Sequence, residues 1–428
     1  KSPPWHTVAM RKITKSSLLA LLVAALVVPI ASPAQAAKLK NPAQNLKGTV
    51  IQDDLFGLHV TDVQTGAWPS VKFGSIRLWD NDTAWANIET SKGVFNWTAL
   101  DNAVATAESK GVTDILMVLA GTPTWATDQR NSAALPRPDA SGAPRDMNDW
   151  NDWVRAVATR YKGRITSYQP WNEANLSTFF TGTPRQMADM TKSTYDIVRG
   201  IDPKATIVAP STGTRLGGPF KKFYPAYLAE LKKMNWPVDA WSAHTYPASL
   251  GDTNDRADLA NSWISYLKAA GAPDLPLWDT ESNYGLAGPG PSNPDQDIEG
   301  TRAANLVAIT YLDALRLGIS RVYMFRWGPY NDLLGIQFSD NTVGAVAMDT
   351  LQDWIVGTEY RGCKETKRKV TCTFGAKNGR QQVIYSEMGT KSFKVKKAYK
   401  QMCSLDGTCK AVPSNRKVRV SGPVLLTR

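Results

Sequence analysis

The chain has 428 residues, 43% hydrophobic and 21% charged, a composition that excludes a disordered or low-complexity protein and leaves room for one large domain and a small one. Its net charge of +12 is unevenly placed. From Gly357 onward 17 Lys+Arg stand against 4 Asp+Glu, whereas the rest of the chain carries 33 and 34, a contrast that marks a domain boundary.

The chain opens with Arg11, Lys12 and Lys15 ahead of the apolar run "SSLLALLVAALVVPIA", followed by Ala34-Gln35-Ala36. A basic region, an apolar stretch and a small-x-small site form an export signal, so residues 1–36 are expected to be a signal peptide with an upstream extension. The mature chain is expected to begin near Ala37 and to be secreted, with no membrane span, because the apolar run is too short to cross a bilayer. Export predicts an oxidising destination. All four cysteines, Cys363, Cys372, Cys403 and Cys409, lie near the C-terminus, where four cysteines allow three pairings. Cys363–Cys372 and Cys403–Cys409 are favoured, each closing a local hairpin. No C-x-x-C spacing points to a zinc ribbon.

Between residues 37 and 357 short β-rich runs alternate with helical patterns. The strands predicted in chain order are 55–60 "LFGLHV", 75–79 "SIRLW", 114–120 "DILMVLA", 165–171 "ITSYQPW", 206–211 "TIVAPS", 238–244 "VDAWSAH", 275–281 "LPLWDTE" and 321–327 "RVYMFRW". Most are near-continuous apolar runs, as strands buried on both faces require. Helical stripes lie between them, as in "MNDWNDWVRAVATRYKG" and "TRAANLVAITYLDALRLG". Eight strand–helix units predict a (β/α)8 TIM barrel over 37–357. The first strand is not followed by a Gly-rich phosphate turn, which disfavours an open dinucleotide-binding sheet. Residues 358–428 change texture and predict a basic, disulfide-stapled, all-β domain, with strands in "KVTCTFG", "QQVIYSE", "SFKVK", "RKVRVS" and "PVLLT".

In such barrels the chemistry sits at the C-terminal ends of the strands. Glu173 there could cap the next helix, pair with a cation, or act on a substrate. Glu281 ends the seventh strand, and the mature chain's two histidines, His59 and His244, also fall at strand ends. No carboxylate-histidine spacing for a metal occurs, and no cofactor is expected. Two carboxylates facing one cavity are what cleavage of a glycosidic bond needs, one as acid and one as nucleophile or base. Arg77 would favour the ionised form of one of them, and Tyr246 could hydrogen-bond the nucleophile. Trp79, Trp125, Trp171 and Trp327 are candidates for stacking on the apolar faces of sugar rings.

The motifs "WNEAN" and "WDTESNYG", with "AHTYP" and Arg77 in "SIRLWDND", resemble those of clan A glycoside hydrolases. The segment "RLWDNDTAWANIETSKGVFNWTALD" is similar to glycoside hydrolase family 39 and its relatives. The resemblance covers roughly residues 50–357. It implies a retaining double displacement, with Glu173 as acid/base, Glu281 as nucleophile and Asn172 holding the sugar 2-hydroxyl. The C-terminal region resembles the small β domains that accompany such barrels, although its cysteines and charge lie outside the clan pattern. The expected protein is a secreted retaining glycosidase acting on β-linked poly- or oligosaccharide. A transglycosylase, a non-catalytic carbohydrate-binding barrel and a wall-associated structural protein are the rival classes. The basic C-terminal domain suits an anionic wall polymer as a further partner. Nucleic acid is not expected, since no base-reading motif occurs.

Overall fold

A computed structural model describes residues 37–428 apart from 378 and 388. The export signal expected over 1–36 lies outside the described residues.

Eight parallel strands form the central sheet: β1 (Phe56–Val60), β2 (Ser75–Leu78), β3 (Asp114–Val118), β4 (Ser167–Gln169), β5 (Thr206–Ile207), β6 (Trp241–His244), β7 (Leu277–Ser282) and β8 (Ile319–Trp327). Hydrogen bonding runs β5-β4-β3-β2-β1-β8-β7-β6. A parallel bridge between Val208 and Ala240, with Ala209 N–H donating to Ala240 C=O at 2.8 Å, joins the two ends of that order and closes the ring. Every residue of β1, β2, β6 and β7 is buried, so these strands show no alternation of buried and exposed residues.

Among the described residues seven long helices surround the ring: α1 (Thr98–Ser109), α2 (Met147–Arg160), α3 (Pro184–Ile201), α4 (Gly217–Lys233), α5 (Thr253–Ala270), α6 (Gly300–Leu317) and α7 (Val343–Ile355). The sequence pattern predicts eight strand–helix units, but β1 and β2 are joined by a single 3₁₀ turn, Val63–Thr65. Gly66, Pro69 and Gly74 interrupt that link, which carries no helical apolar stripe. Local chemistry sets other ends sharply. Thr183 and Gln186 form a capping box at the start of α3. α6 stops at Gly318, at φ 85°, where a Cβ would collide with the backbone of Pro42.

Beyond the barrel come β9 (Glu359–Thr366), β10 (Lys369–Ala376), β11 (Gly379–Ser386), β12 (Lys391–Lys394), β13 (Gln401–Ser404), β14 (Cys409–Ala411), β15 (Lys417–Val420) and β16 (Val424–Thr427). Six make an antiparallel sheet in the order β9-β10-β11-β16-β13-β14, and β12 pairs with β15 as a separate ribbon. Cys363–Cys372 staples β9 to β10, and Cys403–Cys409 staples β13 to β14. Strands β9, β13 and β14 were not among those predicted, because they are short or strongly polar.

The sheet does not hang on a linker. Chain from 48 to 51, just ahead of β1, pairs with the start of β9, through Ile51 N–H to Thr358 C=O at 2.9 Å and Tyr360 N–H to Thr49 C=O at 2.8 Å. Tyr360, Val370, Phe374 and Tyr385 belong to the same apolar core as the barrel residues. The buried Tyr385 hydroxyl donates to Asp313 of α6 at 2.6 Å. Among the described residues no helix is long and apolar enough to cross a membrane.

Candidate active site

The mouth of the ring, at the C-terminal ends of the strands, gathers a cluster of buried polar residues. Arg77 is its hub. It lies on β2, fully buried, and needs partners for every N–H. One terminal nitrogen donates to Glu281 Oε1 at 2.6 Å, the other to Asn172 Oδ1 at 2.8 Å and Gln169 Oε1 at 2.7 Å, and Nε donates again to Gln169 at 3.0 Å. Tyr246 Oη donates to the second oxygen of Glu281 at 3.0 Å. Donors on both oxygens suit a charged carboxylate.

Glu173 stands opposite in different surroundings. Burial pushes its carboxyl up to about 7, against the pull of Arg215 and Arg77. Its contact is His244, whose Nδ1 lies 3.1 Å from Glu173 Oε1 and 3.5 Å from Glu281 Oε2. Burial, opposed by the charge of Glu281, lowers His244 to about 4, so the ring is neutral at ordinary pH. Nδ1 then carries the proton and donates, and the bare Nε2 is the nitrogen left without a partner. One nitrogen touching both glutamates means that their facing oxygens are no farther apart than the sum of those two distances. That bound admits the separation of about 5–5.5 Å found between the carboxyls of retaining pairs.

The backbone holds Glu173 in an unfavourable conformation, at φ 40°. Its N–H donates to Ser211 Oγ at 2.9 Å, and Asn175 makes two bonds of 2.9 Å with the backbone of Gly213. Glu173 caps nothing: Thr183 is the N-cap of the next helix. A Cβ on Gly213 would come within 2.7 Å of Glu173 Oε1. Gly213→Ala should therefore displace the carboxyl and lower turnover by roughly 10–100-fold, since about 1 Å of misplacement can cost that much. Steady-state kinetics beside a thermal melt would check it, the melt changing little.

Asn172 is buried, its oxygen is held by Arg77, and its amide N–H groups have no partner among the described residues. His59 lies at the base of the cluster, 3.2 Å from Arg77 Nη1 and edge-on to Phe325, and burial together with Arg77 depresses its pKa strongly. The tryptophans divide. Trp79 and Trp327, at the ends of β2 and β8, keep 4% and 7% of their surface open. Trp171 is 1% exposed, its indole N–H bonded to Phe179 C=O at 2.7 Å, which makes it a packing residue with no face for a sugar. Trp125 is half-buried, packs edge-on against Trp85 and lines an outer groove with Phe95 and Trp97, so it does not join the glutamate cluster.

Sequence reasoning missed Gln169, Ser211, Gly213, Asn175 and the buried pair Arg256–Asp279 (2.6 Å), which also binds Thr245 beside Tyr246. Gln169 had a readable signal, a polar side chain inside an apolar strand. Asp279 had the same signal in β7, whereas the others sit in loops or on a helix, where polarity is ordinary.

No family model matches the sequence, and no curated protein matches it either. Solved structures do. A family 39 glycoside hydrolase from the gut symbiont Bacteroides cellulosilyticus superposes with a TM-score of 0.63 at 16% identity, over 88% of this chain and 81% of that one. The fold is that of the clan A glycoside hydrolases. A family 39 β-xylosidase from Caulobacter crescentus gives 0.60 at 15% identity, over 89% of this chain and 97% of that one. A family 30 endoxylanase from Clostridium papyrosolvens gives 0.57 at 13% identity, over 89% and 98%. At these identities the likeness is one of fold, and chemistry must be argued from the residues.

Proposed function

We propose that the chain is an exported glycoside hydrolase that cleaves β-linked poly- or oligosaccharide with retention. One observation carries the reading: two glutamates share His244 Nδ1 while their other surroundings differ, Glu281 being bonded to a guanidinium and a phenol, and Glu173 being buried with a raised pKa. Such a division of environments lets one carboxyl carry a proton while the other is charged.

In this reading Glu281 attacks the anomeric carbon as the bond to the leaving oxygen breaks, and Glu173 gives that oxygen its proton. Glu173, now ionised, takes a proton from a water, whose oxygen attacks the same carbon and releases Glu281. Tyr246 and Arg77 hold the nucleophile's oxygens. Neutral His244 donates to Glu173 whether that group is protonated or not. The free amide of Asn172 is placed to donate to a sugar hydroxyl. The two disulfides accord with an oxidising destination.

The sign of the pH dependence follows from Glu173. The first step needs its protonated form, so activity should fall as pH rises through about 7. Screening aryl β-glycosides and polysaccharides would find the substrate. The pH profile of kcat/KM on the best of them should then show an alkaline limb near 7. In Glu173→Gln the residual activity should lose that limb. A limb that persists unchanged in the variant would defeat the assignment.

A further inference from the structure

The six-stranded sheet has two faces with different fates. Val370, Cys372 and Phe374 of β10 point into the core shared with the barrel. On the other face, the β12/β15 ribbon covers one part with a small core that includes Ile384, Phe393, Val418 and Leu426. The remainder is an open groove of about 540 Å³.

Lys47, Lys364, Lys367, Lys369, Lys394 and Lys396 line this groove, and no carboxylate does. They come from three separate stretches of chain, 47, 364–369 and 394–396, which the fold brings to one concavity. Lys369 is committed, its ammonium donating to Ser392 C=O at 2.7 Å and lying 5.7 Å over the Phe393 ring. The other five make no ion pair among the described residues. Five like charges around one concavity repel one another and focus a field that draws anions. Lys367 stands in the β9–β10 turn, whose Arg368 donates to Asn254 Oδ1 at 3.0 Å. Lys367 and Arg368 both adopt positive φ, 54° and 63°, where Asn-Gly is the favoured pair.

We propose that this groove binds a carboxylate-bearing polysaccharide, a polyuronate chain. Lysine charge draws a polyanion, and two features of the lining favour a carboxylate-bearing sugar chain over a nucleic acid. Arg361 at the rim is taken by Glu359 at 2.8 Å, which leaves the lysine ammoniums as the free cations. The floor presents the half-buried side chains of Thr371, Thr373 and Gln382, neutral groups suited to sugar hydroxyls. The one aromatic lining residue, Phe393, is buried and capped by Lys369, so bases of a nucleic acid have no stacking platform.

The test uses the whole chain, because the sheet shares its core with the barrel. Retention on immobilised polygalacturonate is measured at low and at half-molar salt, beside Lys364→Gln/Lys367→Gln/Lys394→Gln/Lys396→Gln. The parent should bind and elute with salt, and the variant should bind roughly tenfold or more weakly, since these fields are screened over about 8 Å at physiological salt. A thermal melt, unchanged in the variant, separates lost binding from lost fold, and neither readout depends on turnover in the barrel. If that variant does not fold, Lys364→Gln/Lys394→Gln is measured instead and should bind severalfold more weakly. Equal retention of parent and folded variant overturns the proposal. So does binding of polyphosphate or single-stranded DNA as tight as that of polyuronate, which would leave only a general cationic surface.

Discussion

Glu281→Gln is expected to reduce turnover of every glycoside by roughly 10⁴-fold or more, the scale seen when a covalent nucleophile is removed. An amide nitrogen or oxygen cannot form the glycosyl ester. The fold should survive, because the amide oxygen can still accept from Arg77, which keeps Gln169 and Asn172 as well. Replacing a charged acceptor by a neutral one beside a buried guanidinium should still lower stability, by about 1.5–3 kcal/mol. Initial rates on an aryl glycoside, with a denaturant melt on the same sample, measure both. Turnover near the parent's on any glycoside would remove Glu281 from the chemistry.

Glu173→Ala should behave differently, and the contrast is the stronger test of assigned roles. Its loss should depend on the leaving group. Polysaccharide and alkyl glycosides should slow by roughly 10²–10⁴-fold, because their leaving oxygens need a proton. A dinitrophenyl glycoside should lose much less in its first step, since that phenolate leaves without help. Water then attacks the glycosyl-enzyme slowly, with no base to assist it. Azide needs no base, so it should restore the rate and give a glycosyl azide of the same anomeric configuration as the substrate. The vacated volume beside Gly213 leaves room for the anion. Product configuration by NMR decides the matter. Equal loss on all leaving groups, with no response to azide, would mean that Glu173 is only structural.

Much of this was legible in the chain because burial leaves such a plain mark. Eight apolar runs, each closed by polar residues, located the barrel strands and their ends within a few residues. The polar residues that closed them included Glu173, His244, Tyr246 and Glu281, now found within a few ångströms of one another. Cysteines six and nine positions apart could be paired by proximity alone, and the structure has those pairs. The step in charge at Gly357 separated two compositions, although it did not separate two cores.

What the sequence by itself determined was therefore the barrel, its secondary β region and the short list of polar strand ends. Only the tertiary structure decided which of those residues meet. When both faces of a strand are covered, apolar residues fill both, and alternation no longer tells inward from outward. Hence the run that holds Gln169 does not show that this side chain is aimed at Arg77, nor that Trp171, a candidate sugar platform by its place at a strand end, is aimed at Phe180 and Trp150. Glu173 owes its position to Ser211, Gly213 and Asn175, loop residues whose composition is unremarkable and whose effect depends on a neighbouring strand. The lysines of the basic groove lie as far apart in the chain as Lys47 and Lys396, and only the pairing of 48–51 with β9 and the packing of the β12/β15 ribbon bring them to one cavity.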